Sequence, residues 1–388
     1  MHERELKLVQ DMYPEILATM EKLTSFKRGS MYLPGLAETA DFLKNFLLEL
    51  GCQVESHYDE TYGATLIGRK KGSGKMKILW YAHMDTVWLD PNKQVPFSIK
   101  GDYAYGAGVS DCTHGLLASL YTLKTLNALG FDKYGELVIV FNPDEEQCSP
   151  SSTKWLQEIS KDMDLAICME GPEHDGEFTT ARAGSAYYHI HVTGKMAHAG
   201  VNPQDGADAI AELTYKLAEI LPKQFKDVYL VPCQIRGGSG DCCVSDNAYA
   251  MLRYRIMSWD SKPEIDAFLK SVEEKTYVPG TTTSITFWPE GGFGPMPRLP
   301  WAEKFIDTVI NISKEMDYPL REGYGWGGCD ASSTVMNCPT IDALAPVTYN
   351  CHNQNESLLL TSVVPRIALL AVLTQEICGD DKYLRERA

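Results

Sequence analysis

The sequence predicts an α/β protein with a smaller α+β domain inserted in it. Short apolar runs alternate with helix-period segments as far as Glu170, the order expected of a sheet with helices on its faces. After Glu170 the texture changes, and "SAYYHIHVTG" alternates as a half-exposed strand does. The chain has 388 residues, too many for one compact core.

Helical spacing runs from Leu6 to Leu23 and from Leu36 to Leu50, with Gly51 stopping the second helix. The strands "ATLIG", "MKILWYAHMD" and "ELVIVFNPDEE" follow, with the helix "GLLASLYTLKTLNALG" between the last two. "DLAICMEGP" is another buried strand. The inserted part reads as four strands, "SAYYHIHVTG", "VYLVPCQIRGG", "AYAMLRYRIM" and "SITFWPEGG", with the helices "GADAIAELTYKLAEIL" and "PEIDAFLKSVEEKTY". "PEGGFGPMPRLP" has the composition of a return hinge. A helix, "WAEKFIDTVINISKEM", a short strand, "TIDALAP", and a last helix, "SVVPRIALLAVLTQEIC", complete the chain. The domain reading is therefore 1–181 and 293–388 for the larger domain and 182–292 for the insert.

Composition is that of a soluble globular protein, 44% hydrophobic and 23% charged. A net charge of −16 argues against nucleic acid and anionic membrane as partners. The charged, amphipathic start does not read as a signal peptide, and no stretch reads as a membrane span. The 11 cysteines are odd in number and irregularly spaced, which fits free thiols in a reducing cytoplasm.

Strand ends and the loops beside them carry the chemistry. "ILWYAHMDTV" ends in His83 and Asp85, "VIVFNPDEE" in Glu145 and Glu146, and "AICME" in Glu170, while "YGAGVSDCTHG" presents Asp111 before a helix. Strand ends of α/β sheets converge on one edge, where ligands bind. One histidine with several carboxylates, and no thiolate at these ends, suits zinc, manganese or cobalt. A pair of such ions about 3.5–4 Å apart clamps a scissile carbonyl and a water together.

The ordered stretches "HMDTV", "GAGVSD", "NPDEE", "MEGP", "GKMAHAG", "GGCDAS" and "HNQNE" resemble the dinuclear zinc peptidases that include glutamate carboxypeptidase, aminoacylase-1 and succinyl-diaminopimelate desuccinylase, glutamate carboxypeptidase most of all. The resemblance implies a catalytic domain with a mixed central sheet flanked by helices, and an inserted lid that pairs with its twin in a homodimer. It implies that His83 and Glu170 hold one ion, Glu146 and His352 the other, and that Asp111 bridges both. Asp85 would orient the His83 imidazole. Glu145 would be the general base, acting on a metal-bridging water. His198, in "GKMAHAG", would reach the partner subunit's active site and polarise the substrate carbonyl. Arg255 would bind a substrate carboxylate. The Asp111–Cys112 peptide would be cis.

The chain departs from the family at Cys112, Thr113 and His114, where an acid, Lys and Gly are usual. In the insert, Cys242 stands for a substrate-binding Asn, Ser245 for a Pro, and Arg253 for an acid. His114 is open to two readings, a substrate contact or a residue on the helix face. The substituted lid positions fall on groups that recognise a terminal carboxylate. The reading is a cytoplasmic, dimeric, two-metal hydrolase, a carboxypeptidase or dipeptidase acting on a small carboxylate-bearing substrate. An N-acyl-amino-acid deacylase shares the chemistry, and a catalytically inactive ligand-binding homologue is a third reading.

Overall fold

The computed structural model describes residues 1–172, 174, 176–289 and 291–385. It divides into two compact units, Met1–Ala181 with Arg298–Gly325 and Cys329–Ala388, and Arg182–Pro297 with Trp326–Gly328. Glu290, in the stretch read as a return hinge, lies outside the described residues.

The first unit is built on an eight-stranded sheet. Its order is Gln53–Asp59, Gly63–Lys71, Glu136–Asn142, Lys77–His83, Leu165–Cys168, Thr340–Asp342, Glu177–Arg182 and Arg321–Gly325. The four strands from Glu136–Asn142 to Thr340–Asp342 are parallel. Their neighbours on either side run antiparallel, which makes the sheet mixed. Parallel strands are covered on both faces, so their sequences are continuous apolar runs rather than alternating ones. Trp80, Leu79, Val138, Ile139 and Ala166 are all fully buried. The helix Leu33–Glu49 packs on Gly63–Lys71, and His114–Ala128 packs on Lys77–His83 and against Val363–Cys378.

Two details differ from the sequence reading. The first helical segment is two helices, Glu3–Asp11 and Tyr13–Ser25. Pro14 has no N–H to give and favours a first turn, so a new helix begins there. Secondly, Leu360–Cys378, with 19 residues and a mean hydropathy of 1.4, is long and apolar enough to cross a membrane, but 67% of its most apolar window is buried inside the protein. It packs against Glu3–Asp11, His114–Ala128 and Glu303–Glu315, and its buried Arg366 donates to the carbonyls of Glu177 and Ala343. Its apolarity is that of a central core helix.

The second unit has its own core. Its four-stranded antiparallel sheet has the order Val228–Gly237, Asn247–Ile256, Gly184–Thr193 and Thr282–Trp288. Tyr188, Ile190 and Val192 are buried with residues of the helices Ala209–Ile220 and Lys262–Glu274, while the alternate residues His189 and His191 point to the other face. Asp208 caps the first helix by accepting from the Ile210 and Ala211 amides. Val228–Gly237 is an edge strand, which is why it tolerates Pro232, where the register shifts.

Candidate metal centre

Parallel pairing brings three strand ends to one edge. His83 is in register with Asn142, and Tyr81 with Cys168. The chain leaving Asn142 turns sharply through Glu145–Gln147, and the chain leaving Cys168 reaches Glu170 two residues on. Asp111 arrives from the irregular segment Val109–Thr113, and its peptide bond to Cys112 is cis. His352 follows the short strand Thr348–Tyr349 and has a left-handed backbone.

These side chains converge. His83 Nε2 lies 2.8 Å from Asp111 Oδ1 and 3.7 Å from a Glu170 carboxylate oxygen. His352 Nε2 lies 3.1 Å from Asp111 Oδ2 and 3.2 Å from Glu146 Oε2. One carboxylate, Asp111, therefore faces both imidazoles, one with each of its oxygens. The Glu146 Oε1 atom is buried with no hydrogen-bond partner. Glu145 is buried beside this group.

Asp85 organises the edge beneath them. Its Oδ1 lies 3.2 Å from His83 Nδ1 and accepts the Glu145 amide at 3.0 Å. Its Oδ2 accepts the Glu146 amide at 3.2 Å and the Ser30 hydroxyl at 2.8 Å. The contact at Nδ1 sets the ring so that Nε2 faces Asp111 and Glu170, where it donates to Asp111 and would ligate once an ion displaces its proton. Asp85 thus orients an imidazole and ties down the Glu145–Glu146 backbone at the same time. Asp85→Ala is expected to weaken metal binding about 10–100-fold. Because the Glu145 backbone is also released, kcat should stay low at saturating metal; metal titration and steady-state kinetics check the two effects separately.

The electrostatics favour a cation. Burial raises the Glu145 carboxyl, and the neighbouring Glu170 and Glu146 charges add to this against the opposing pull of His83. Burial, then the charge of Asp111, pushes Glu146 up to about 7. Hydrogen bonds to Asp111 and Glu146 lift His352 to about 10. Burial works to raise Asp111, but hydrogen bonds from His352 and His83 hold it well below the usual carboxylate range. Four carboxylates thus crowd two imidazoles in a poorly solvated place. Divalent cations offset such a charge, and the orphaned Glu146 oxygen and the two Nε2 atoms, each giving up its proton to an ion, are suitable ligands. The donors of His83, Asp111 and Glu146 lie within 4.8 Å of one another, and so do those of His83, Cys112 and Glu170.

That second group corrects one sequence expectation. Thiols do stand at this edge: Cys112 is buried in the Asp111 segment, and Cys168 is the last residue of its strand. Neither belongs to a recognisable spacing motif, so proximity alone reveals them. His114 is fully buried at the start of its helix, beside the Glu170 backbone. Burial pushes its pKa down to about 3, so it is neutral.

Support residues missed in the sequence lie far off in the chain. Glu356, at the end of "HNQNE", is buried and accepts from Gly108 N at 2.7 Å, Ser110 Oγ at 2.8 Å, Ser110 N at 3.4 Å and Trp88 Nε1 at 2.5 Å. Arg28, also buried, donates to the Met84 and Gly108 carbonyls and to the Thr113 hydroxyl. Together they hold both sides of the Asp111 segment. Asp330, in "GGCDAS", accepts from Asn142 at 2.7 Å and Ser149 at 2.5 Å, beneath the Glu145 turn. Glu356→Ala leaves several buried donors unmet, at about 1–3 kcal/mol each. Chemical denaturation should show that loss, metal titration should show weaker binding at Asp111, and Glu356→Gln should recover part of both.

The remaining sequence candidates lie in the second unit. His198 is exposed, and its Nδ1 accepts the Gly200 and Val201 amides, each at 3.1 Å, which leaves the ring proton on Nε2. Arg255 donates to the Trp326 carbonyl at 3.1 Å. Arg253 contacts the Tyr187 hydroxyl, lies over the Tyr187 ring and donates to Ser185 Oγ at 3.0 Å.

Residues 79–376 match the model of peptidase family M20/M25/M40. Carboxypeptidase G2 of Pseudomonas sp. (strain RS-16) is 28% identical over 370 residues, which cover 93% of this chain and 88% of that protein. In fold, the chain is similar to aminopeptidase PepT from Bacillus cereus ATCC 10987, with a TM-score of 0.78 and 19% identity over 95% of this chain and 99% of that one. It is also similar to the M20 family metallo-carboxypeptidase Sso-CP2 from Sulfolobus solfataricus, with a TM-score of 0.72 and 15% identity over 92% and 98% of the two chains.

Proposed function

Since this chain belongs to peptidase family M20/M25/M40 and is a metallopeptidase-type hydrolase, we propose that it is a two-metal carboxypeptidase or dipeptidase working at the edge that carries Asp111. The observation that supports this best is the Asp111 carboxylate, with one oxygen 2.8 Å from His83 and the other 3.1 Å from His352. His83 and Glu170 would hold one divalent ion, Glu146 and His352 a second, and Asp111 both; zinc fits the donors, and manganese and cobalt are alternatives. Such ions supply Lewis acidity to the substrate carbonyl and make water a usable nucleophile near neutral pH.

The protein's own groups do the rest. Glu145 takes the proton of the attacking water and passes it to the leaving amine. Asp85 fixes His83 and the Glu145 turn in their relative places. The second unit serves as a lid, its Arg255 receiving the substrate carboxylate and its His198 Nε2–H polarising the carbonyl in the partner subunit's site. The homodimer forms through this unit, whose edge strand exposes Tyr229, Val231 and Ile235; light scattering should give twice the chain mass. The eleven cysteines, with no disulfide among the described residues, fit a cytoplasmic setting.

Removing metal with a chelator is expected to abolish turnover, and zinc, manganese or cobalt to restore it. The restored protein should cleave dipeptides or tripeptides faster than N-acyl amino acids. The reverse preference makes it a deacylase. Binding of small acids without turnover of any of them contradicts both.

A further inference from the structure

A second cluster of ligand-type side chains lies just below the strand ends. Cys168 closes its strand two residues before Glu170 and is in parallel register with Asp342 on the adjacent strand Thr340–Asp342. In-register neighbours present their side chains on the same face. Cys329, in the loop before the short helix Ala331–Thr334, meets this pair, with its Sγ 3.2 Å from Asp342 Oδ2. The other oxygen of Asp342 accepts the Ala343 amide at 2.5 Å, which fixes the carboxylate's orientation. The two sulfurs and a carboxylate oxygen lie within 4.8 Å of one another. Cys168 is 1% exposed, Cys329 4% and Asp342 0%.

We infer that Cys168, Cys329 and Asp342 form a structural site for a thiophilic divalent cation, zinc in the first place, separate from the His83–Asp111–His352 centre. Two sulfurs select soft or borderline ions over calcium and magnesium. With Zn–S about 2.3 Å and Zn–O about 2.0–2.2 Å, tetrahedral ligand atoms stand about 3.3–3.8 Å apart, so the present cluster needs only a small contraction. Each thiol gives up its proton to solvent as the ion binds. Three separate chain segments meet here and give three ligands, a water taking the fourth tetrahedral position, and the burial sets the ion away from substrate. The ion would pin the segment leading into Glu170 to the loop carrying Asp330, which in turn holds Asn142 and Ser149 under Glu145.

The test reads sulfur, not activity, so its outcome is independent of the proposed catalytic centre. X-ray absorption at the zinc edge of the zinc-loaded full chain should contain a sulfur shell at about 2.3 Å. The cobalt-loaded protein should show a thiolate-to-cobalt charge-transfer band in the near ultraviolet. That band should vanish in Cys168→Ser and in Cys329→Ser and persist in Cys112→Ser, the control for the thiol nearest His83. A zinc-loaded protein with only nitrogen and oxygen neighbours overturns the proposal, as does a band lost with Cys112 alone or a Cys168–Cys329 disulfide in the purified protein. Should those two variants fail to fold, the cobalt-loaded Cys112→Ser protein decides: a charge-transfer band there supports the site and its absence overturns it.

Discussion

Replacing Glu145 by Gln is expected to lower kcat by about 10²–10⁴ while leaving KM and the bound metal almost unchanged. Glu145 and Glu146 are consecutive in a tight turn and have different surroundings. Glu146 meets His352 at 3.2 Å and keeps its other oxygen unpartnered. Glu145 is buried, with its amide held by Asp85. These surroundings fit the proposed division, in which Glu146 ligates and Glu145 handles a proton. Gln keeps the size of the side chain and its buried position, so the turn should survive, but it cannot accept the water's proton at neutral pH. Metal analysis alongside kinetics checks the division of labour. Loss of an ion equivalent in the Gln variant would make Glu145 a ligand, and full activity would remove it from the mechanism.

The second large effect is expected at Asp111. Asn keeps the shape of the residue, and the Gly108–Ser110 backbone stays anchored to Glu356. It removes the negative charge that faces both imidazoles. At least one ion equivalent should be lost, and kcat/KM should fall by about 10³-fold or more, because an ion's stabilisation of the transition state is worth several kcal/mol. This exceeds the effect expected at Asp85, which acts only through His83 and the Glu145 turn. Titration of the apo variant with zinc, followed by activity at saturating metal, separates lost binding from lost catalysis.

The strands that frame the site were legible because burial on both faces writes a continuous apolar run into the sequence. "KILWYA" and "ELVIVF" stop where a polar residue begins, "LAIC" runs through one more apolar residue, Met169, to Glu170, and those stops are the sheet edge. The convergence of His83, Asp111, Glu146, Glu170 and His352 followed from the motifs in order. What could not be read is how the chain folds back on itself. Glu356 supports Gly108 across 248 residues, and Arg28 reaches Gly108 across 80. Neither residue type at those places signals a partner. The Cys168–Cys329–Asp342 cluster escaped for the same reason: cross-strand register joins two of its members and a loop delivers the third. Pro14 was visible, but the apolar period carries across it, and its lack of an N–H outweighed that period.

The most direct test of the central claim is the anomalous scattering of a zinc-loaded crystal, measured at the zinc edge. Two peaks about 3.5–4 Å apart at this sheet edge are expected, one against His83 and Glu170, the other against Glu146 and His352, with the Asp111 carboxylate between them. A single peak there, or two ions that do not share Asp111, would contradict the account.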